Sequence, residues 1–340
     1  MIAEQHDMAD AKVREESLTT LSSQFDAYIK RLAPELQDAS TRLGLMFDIP
    51  ASETRSGWFG HFSPLALLYP QFQFDDVAEI PSEVMEQASL AHVQLLVHAV
   101  IEDRILDGQF QPSGVDVLFS KQLFTDALVT LMGIPNREQH PRDWIQHLLA
   151  AYSAAQTHVY EQSNGNAPRA DRSAALRSIV CGRGYLGLVA TMNLAGVYVG
   201  DPRRVWSIRN AFDALMIGMQ WADDLRDWQE DLAVGDVNLL LHSLKRTGLD
   251  PYQHPDDEVR TANVGHALLQ SGALDRAVTH ATRWFKIAAI RQREIGSHAM
   301  ADLIESKTGP LSGWRRAQTE EIEACVRDTA LRIAMPKTSD

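Results

Sequence analysis

The chain has 340 residues, a formal net charge of −13 and 45% hydrophobic residues. An acidic balance of this size argues against nucleic acid as the partner, because such sites need clustered Lys and Arg. The two cysteines, Cys181 and Cys325, lie far apart in the sequence, which argues against a thiolate zinc site or a disulfide framework and suits a reducing cytoplasm.

Most of the chain carries a helical pattern. Apolar residues recur at spacings of three and four, as in LAHVQLLVHAVI at 90–101, and period-two alternation is scarce. We expect an all-α protein with one domain over residues 16–334 and flexible ends at 1–15 and 335–340. No apolar stretch reaches the ~18 residues typical of a membrane span, and the polar N-terminal residues lack the apolar core of a signal peptide. These features predict a cytoplasmic protein.

An acidic cluster ends a long helix that is predicted to begin after Pro81. The segment HAVIEDRILDG at 98–108 places Glu102, Asp103 and Asp107 directly after apolar residues. Asp103 and Asp107 are one helical turn apart, so they share a face of the helix. Taken alone, this spacing is a weak signal for a metal site.

A second long helix is predicted to begin at Asp201-Pro202, which supply an N-cap and a first helical residue. It runs to about Leu232, and Gly235 is its predicted stop. The end of this helix reads WADDLRDWQEDL at 221–232 and forms a larger acidic cluster. This cluster also follows an apolar stretch, ALMIGM at 214–219.

Three aspartates of the second cluster, Asp223, Asp227 and Asp231, lie at i, i+4 and i+8. They continue the line of the apolar residues before them, so we expect the stripe to point inward. Unpaired buried carboxylates cost several kcal/mol each, and Arg226 is the one basic residue within the run. Mg²⁺ is the economical counter-ion, because it takes oxygen ligands and bridges carboxylates to substrate phosphates. A solvated acidic helix end is the alternative interpretation.

Two such clusters, each at the C-terminal end of a long apolar helix, are a stronger signal than either one alone. Together they predict facing helices that hold a binuclear or trinuclear Mg²⁺ site. A di-iron carboxylate bundle is a more distant alternative, because those proteins use ExxH pairs and this sequence has none.

The motifs resemble those of a known superfamily. GMQWADDLRD at 218–227 resembles the FQxxDDxxD motif of prenyl diphosphate synthases, and HAVIEDRILDG resembles their first motif, HDDxxDG, with Glu102 in place of one Asp and one extra residue before Asp107. DWQEDLAVGD at 227–236 is similar to the DxxEDxxxGR pattern of squalene and phytoene synthases. The second cluster also fits the cyclase triad (N/D)DxxSxxxE, with Asp in place of Ser and Glu. The chain therefore resembles the class I isoprenoid synthase superfamily, loosely over residues 55–320.

The resemblance implies a helical bundle with a central apolar cavity and with both motifs at its mouth. It implies that Mg²⁺, or Mn²⁺ in its place, holds a prenyl diphosphate by its phosphates, and that the protein forms a homodimer. The metal ligands that it implies are Glu102, Asp103, Asp107, Asp223, Asp224, Asp227 and Asp231. All of these except Glu102 and Asp224 are also expected to be catalytic.

Basic residues are then required at the diphosphate. Arg183 lies near the position of the family's Lys-Thr pair upstream of the second motif, and Arg177 has a spacing similar to that of the diphosphate-sensing Arg of bacterial cyclases. Arg226, Arg315 and Arg316 complete the set of expected substrate-binding residues. Each of these arginines also fits an ordinary surface position.

The expected reaction depends on whether a second diphosphate is bound. Elongating synthases hold isopentenyl diphosphate with a basic GGKRxRP motif, whereas the corresponding stretch here, GWFGHFSPLALLYP at 57–70, contains no Lys or Arg. We therefore expect a Mg²⁺-dependent terpene cyclase that ionises farnesyl or geranylgeranyl diphosphate and cyclises the cation to a hydrocarbon or alcohol. A prenyltransferase, of the prenyl diphosphate synthase or squalene/phytoene synthase type, is one alternative, and a non-catalytic subunit of a prenyl synthase is another.

Overall fold

The computed structural model describes residues 2–45, 59, 62–106, 108–134, 140–163, 173–234, 238–245, 248, 251 and 257–334. Helices make up the regular structure, and no strand occurs among these residues, so the all-α prediction is confirmed. The chain divides into two compact units, and the single domain expected over residues 16–334 stays a prediction. Unit 1 comprises 1–156, 182–209 and 293–300, and unit 2 comprises 157–181, 210–292 and 301–340.

Unit 1 is built mainly from the N-terminal half of the chain. Its helices are α1 (Ile2–Ile29), α2 (Pro34–Leu45), α3 (Pro64–Leu67), α4 (Tyr69–Phe74), α5 (Ser82–Leu106), α6 (Gly114–Gly133), most of α7 (His140–Ser163), the end of α8 (Ser173–Gly184), and α9 (Leu186–Leu194) with the π-helical turn Ala195–Val199. Because α1 begins at Ile2, residues 2–15 of the segment predicted as a flexible end lie in a helix. Residues 335–340 lie outside the described residues.

Helix α5 carries the first acidic segment and packs against both α6 and α9. Leu95, Val97 and Ile101 on α5 are fully buried, as expected from its apolar spacing. The helix begins directly after Pro81 and ends at Leu106, which confirms the predicted start and places Glu102 and Asp103 near its C-terminal end.

Helix α5 is long and apolar enough to cross a membrane by length and composition, contrary to the expectation that no segment would be. A single helix of this kind is weak evidence for a span, because the core helix of a globular protein has the same properties. Half of its most apolar window is buried within the protein. A cytoplasmic location and a homodimer stay predictions.

Unit 2 contains the second acidic segment. Its helices are most of α8, most of α10 (Pro202–Val234), α11 (Leu239–Leu244), α12 (Asp257–Gln270), most of α13 (Ala273–Glu294), most of α14 (His298–Ser306), and α15 (Leu311–Ala334). Helix α10 begins at Pro202 and ends at Val234, so its predicted bounds are confirmed. Gly235 lies outside the described residues.

The core of unit 2 forms where α12 packs against α15 and where Trp228 of α10 is buried between them. The indole Nε1 of Trp228 donates a hydrogen bond to Oε1 of Gln318, 2.7 Å away. Gly265 on α12 leaves room for this packing, because a Cβ there would lie 2.9 Å from Cγ2 of Ile322 and 3.4 Å from Cη2 of Trp228. A side chain at 265 therefore displaces buried neighbours.

We expect Gly265→Val to lower the free energy of unfolding by about 1–3 kcal/mol, because the added methyl groups overpack this core. Denaturant titration followed by circular dichroism measures the change. The control is Gly313→Ala on α15, where a Cβ meets nothing within 4 Å. An equal loss in both variants would show that packing at Gly265 is not the cause.

A histidine is buried in the core of unit 1. His92 on α5 is 1% exposed, and its Nε2 lies 2.6 Å from the carbonyl oxygen of Ala66. Burial lowers the pKa of His92 to about 4, and the hydrogen bond to Ala66 opposes that shift only in part. His92 is thus a hydrogen-bonded core residue.

The low pKa of His92 makes stability fall in acid. Between pH 6.5 and 4 the unfolded state binds a proton at this residue while the folded state does not, so stability is lost as pH falls. Between pH 8 and pH 5 the wild type should lose roughly 2 kcal/mol more unfolding free energy than His92→Gln, which keeps a donor and cannot titrate. Urea denaturation at both pH values measures this. Parallel losses in the two proteins would contradict it.

Candidate active site

The two acidic segments fall in different units: residues 98–106 belong to unit 1 and residues 221–231 belong to unit 2. In unit 2, the backbone of α10 leaves helical geometry at Asp227, with φ −111° and ψ 16°. This sparsely occupied conformation bends the helix within the acidic segment. The i, i+4, i+8 stripe assumed from the sequence is therefore not a straight line on one helix face.

The prediction that the stripe points inward is wrong for Asp223, whose side chain is 58% exposed. Asp227 is 36% exposed, and the carboxylate that is buried is instead Asp224, at 1%. The buried face of the helix carries Asp224, Leu225 and Trp228, each of which is at most 1% exposed. The exposed face carries Asp223 together with Arg226.

Both oxygens of Asp224 are occupied by neighbours in the protein. Gln220 donates from Nε2 to Oδ1 across 2.6 Å, and the backbone N–H of Leu239 donates to Oδ2. Burial raises the pKa of Asp224 well above its usual range, and these two hydrogen bonds oppose that shift. The side chain of Asp224 joins the end of α10 to the start of α11. Because both of its oxygens are occupied, Asp224 is not among the metal ligands proposed below.

Asn238 supports the same segment and was not identified from the sequence. Its Nδ2 donates to Oδ2 of Asp231 across 2.6 Å and to the carbonyl oxygen of Asp224 across 3.3 Å. Its Oδ1 accepts the backbone N–H of Leu241 across 2.9 Å and caps α11. An Asn directly before the apolar run LLL is an N-cap signal that would have located it.

Removing the cap should therefore destabilise unit 2. We expect Asn238→Ala to lower the free energy of unfolding by roughly 1–2 kcal/mol, because the cap and the hold on Asp231 are both lost. Asn238→Ser keeps a capping oxygen and should recover about half of that loss. Denaturant titration of both variants measures the difference. No recovery in the serine variant would contradict a capping role.

Arg226 joins two of the predicted metal ligands. Its Nη2 donates to Oδ1 of Asp223 and to Oδ2 of Asp227, each across 3.2 Å, and its Nε donates to Oδ1 of Asp227 across 3.3 Å. The hydrogen bond to Asp227 raises the pKa of Arg226, so the guanidinium is charged. Its Cζ also lies 5.6 Å from the ring centre of Trp314.

The donors present fit Mg²⁺. Asp223 and Asp227 offer carboxylate oxygens that already converge on one cationic group, the guanidinium of Arg226. Among the described residues, no group of three or more His, Cys, Asp or Glu side chains is arranged to hold a metal ion by itself. Mg²⁺ commonly binds with one or two carboxylates and completes its shell with water and substrate phosphates, so two ligands suffice.

The first motif, in unit 1, pairs its acidic residues with protein groups. Arg183 donates from Nη2 to Oδ1 of Asp103, so the structure brings together two residues that the sequence assigned separately to substrate and metal. The hydroxyl of Tyr152 donates to Oε2 of Glu102, and Nε2 of Gln156 donates to that hydroxyl across 3.1 Å. Asp107 lies outside the described residues.

Tyr152 is a neutral hydrogen-bond donor to Glu102. Burial and the charge of Glu102 raise the pKa of Tyr152 above its usual range, so the phenol keeps its proton. Tyr152 and Gln156 were not identified from the sequence, because they lie on α7, far from the motif along the chain. Glu102 is thus bound to a side chain of its own unit.

Three further arginines were assigned to the substrate from the sequence. Arg177 and Arg316 are exposed, and Arg315 donates from Nη1 to Oδ1 of Asp275 across 2.9 Å. Their assignment to the substrate stays a prediction.

Known structures resemble this chain, although no family model and no curated protein sequence matches it. A geranylgeranyl pyrophosphate synthetase from the archaeon Geoglobus acetivorans aligns with a TM-score of 0.66 at 14% identity, over 87% of this chain and 98% of that one. The geranylgeranyl pyrophosphate synthetase from Pyrococcus horikoshii gives 0.66 at 12%, over 88% and 99%. The polyprenyl synthetase from Streptomyces coelicolor gives 0.59 at 15%, over 85% and 98%.

The chain has the all-α class I isoprenoid synthase fold. The fold prediction made from the two acidic motifs is therefore confirmed. At these identities the likeness shows the fold alone, and any argument about the reaction depends on the residues of this chain.

Proposed function

We propose that this chain is a Mg²⁺-dependent enzyme that ionises an allylic prenyl diphosphate and transfers the prenyl group to an acceptor. The observation that carries the proposal is the Asp223–Arg226–Asp227 cluster at the end of α10, in a chain with the class I isoprenoid synthase fold. The similar solved structures named above are two geranylgeranyl pyrophosphate synthetases and a polyprenyl synthetase, which favours transfer over cyclisation.

The residues of unit 2 would bind the diphosphate end of the substrate. Asp223 and Asp227 would hold Mg²⁺, and Asn238 holds the side chain of Asp231 at the same helix end. When bound, Mg²⁺ neutralises the diphosphate and stabilises it as a leaving group. The C–O bond then breaks with its electron pair leaving on the diphosphate. The electron pair of an acceptor double bond would attack the allylic cation, and the released diphosphate would accept the proton that is then lost.

The residues of unit 1 would bind the same class of ligand. Arg183 presents a planar guanidinium, which suits phosphate oxygens, and Asp103 beside it offers a metal-binding carboxylate. Tyr152 fixes the position of Glu102. We propose metal ligation for Asp103, because its partner Arg183 is itself a proposed phosphate ligand, whereas Glu102 is held by Tyr152.

Terpene cyclisation is the second candidate, and a specific observation favours it. The stretch 57–70 contains no Lys or Arg to hold a second diphosphate. In a cyclase, the same ionisation would be followed by attack of a double bond within the same molecule. The two reactions share the metal-binding residues and differ in whether a second substrate is required.

The deciding measurement incubates purified protein and Mg²⁺ with geranyl, farnesyl, geranylgeranyl and geranylfarnesyl diphosphates, each with and without isopentenyl diphosphate. We expect longer prenyl diphosphates, detected by liquid chromatography with mass detection, only when isopentenyl diphosphate is present. A cyclic hydrocarbon or alcohol without it, seen by gas chromatography, would establish the cyclase instead. If no substrate is consumed in either set, the proposed ionisation is wrong and a non-catalytic subunit becomes the better interpretation.

Substitutions in the acidic segment test the residue assignments. Asp227→Asn should lower turnover on the order of a hundredfold or more, because a charged ligand at the leaving group is lost. Glu230→Gln is the matched control, since it removes one exposed carboxylate from the same helix end without touching the proposed ligands. Equal losses in the two variants would mean that overall negative charge matters, and not metal ligation by Asp227.

A further inference from the structure

We propose that Arg226 is a resident counter-ion that occupies the cation position of the Asp223–Asp227 pair, that Mg²⁺ displaces it, and that the released guanidinium then binds the substrate's diphosphate. The inference rests on the proposed function, because it takes these two aspartates as metal ligands. It adds a role for a basic residue within the acidic motif itself.

The position of Arg226 is that of a cation shared by two carboxylates. One nitrogen, Nη2, lies 3.2 Å from Oδ1 of Asp223 and 3.2 Å from Oδ2 of Asp227. An ion that bridges both carboxylates needs the space where this nitrogen lies. Guanidinium and metal therefore compete for the same oxygens.

The contacts of Arg226 are of a kind that a divalent ion can replace. At 3.2–3.3 Å they are longer than the 2.7–2.9 Å usual for charge-assisted hydrogen bonds. Arg226 is 50% exposed and Asp223 is 58% exposed, so water screens the pair and its net contribution to stability is small. One guanidinium also neutralises only one of the two negative charges, whereas Mg²⁺ neutralises both.

The side chain of Arg226 has a second partner, and its backbone is held in place. The ring of Trp314 lies 5.6 Å from Cζ and offers the guanidinium a contact that does not depend on the aspartates. The backbone carbonyl of Arg226 accepts a hydrogen bond from Nε2 of Gln318 across 3.2 Å, and Gln318 is itself bound by buried Trp228. The side chain can therefore leave the carboxylates while the helix stays fixed.

A released guanidinium remains close to the metal ligands, because Arg226 lies between them in the sequence. Mg²⁺ would bring a diphosphate to Asp223 and Asp227, and the planar donors of arginine suit phosphate oxygens. The same side chain thus compensates the carboxylates in the metal-free protein and the diphosphate in the loaded one.

The test measures Mn²⁺ binding to the substrate-free protein, from the loss of the free-ion signal in electron paramagnetic resonance. Arg226→Gln should bind Mn²⁺ roughly fivefold more tightly than wild type, because the competing charge is removed. Arg226→Lys should lie between the two. The control is Arg327→Gln, which removes one exposed positive charge from α15 of the same unit.

The outcomes separate the inference from the proposed function. Equal Mn²⁺ affinity in wild type and Arg226→Gln overturns the counter-ion role, as does an equal gain in Arg327→Gln. Mn²⁺ binding by neither wild type nor Arg226→Gln overturns metal ligation by Asp223 and Asp227, and the inference with it. Tighter binding in Arg226→Gln that disappears when Asp227→Asn is added supports both.

A second readout addresses the released guanidinium. Calorimetric titration of the Mn²⁺-saturated proteins with inorganic diphosphate should give about tenfold weaker binding for Arg226→Gln than for wild type, since one charged phosphate contact is lost. Unchanged diphosphate affinity would overturn the transfer of Arg226 from the carboxylates to the diphosphate.

Discussion

The candidate site depends on the hydrogen bonds that hold the buried side chain of Asp224. A fully buried carboxyl group is costly unless hydrogen-bond donors surround it, and here a side-chain amide and a backbone N–H occupy its two oxygens. The contact with Leu239 ties the start of α11 to the end of α10. Because Asp224 shares the buried face of the helix with Leu225 and Trp228, Asp223 and Arg226 lie on the exposed face, where ligands can reach them.

The supporting contacts extend this constraint through unit 2. Asn238 links Asp231 to the start of α11, and Gln318 links the backbone of Arg226 to buried Trp228. None of these three contacts involves the carboxylates for which we propose metal ligation. Hydrogen-bonded polar groups therefore hold the helix in place, while the side chains of Asp223 and Arg226 stay exposed. A preorganised site requires this arrangement.

The sequence predicted the helices that carry the site better than the site itself. Apolar spacing and the Asp201-Pro202 start signal located α10 almost to the residue, because both are local properties of the chain. The prediction of an inward-facing stripe of aspartates was wrong because the bend at Asp227 and the burial of Asp224 depend on partners beyond the helix. Likewise, Glu102 fits a metal motif in the sequence, yet Tyr152, fifty positions away, decides what it contacts.

The bend at Asp227 also changes the electrostatics of the backbone. Peptide dipoles add along a straight helix, so the interruption gives α10 a partial carboxyl terminus near Asp223 and a partial amino terminus just beyond Asp227. Carbonyl groups at the first boundary add partial negative charge to a region that already attracts cations. N–H groups at the second favour acidic side chains, and Glu230 and Asp231 follow there. The backbone itself thus helps the helix to tolerate so many carboxylates in so short a segment.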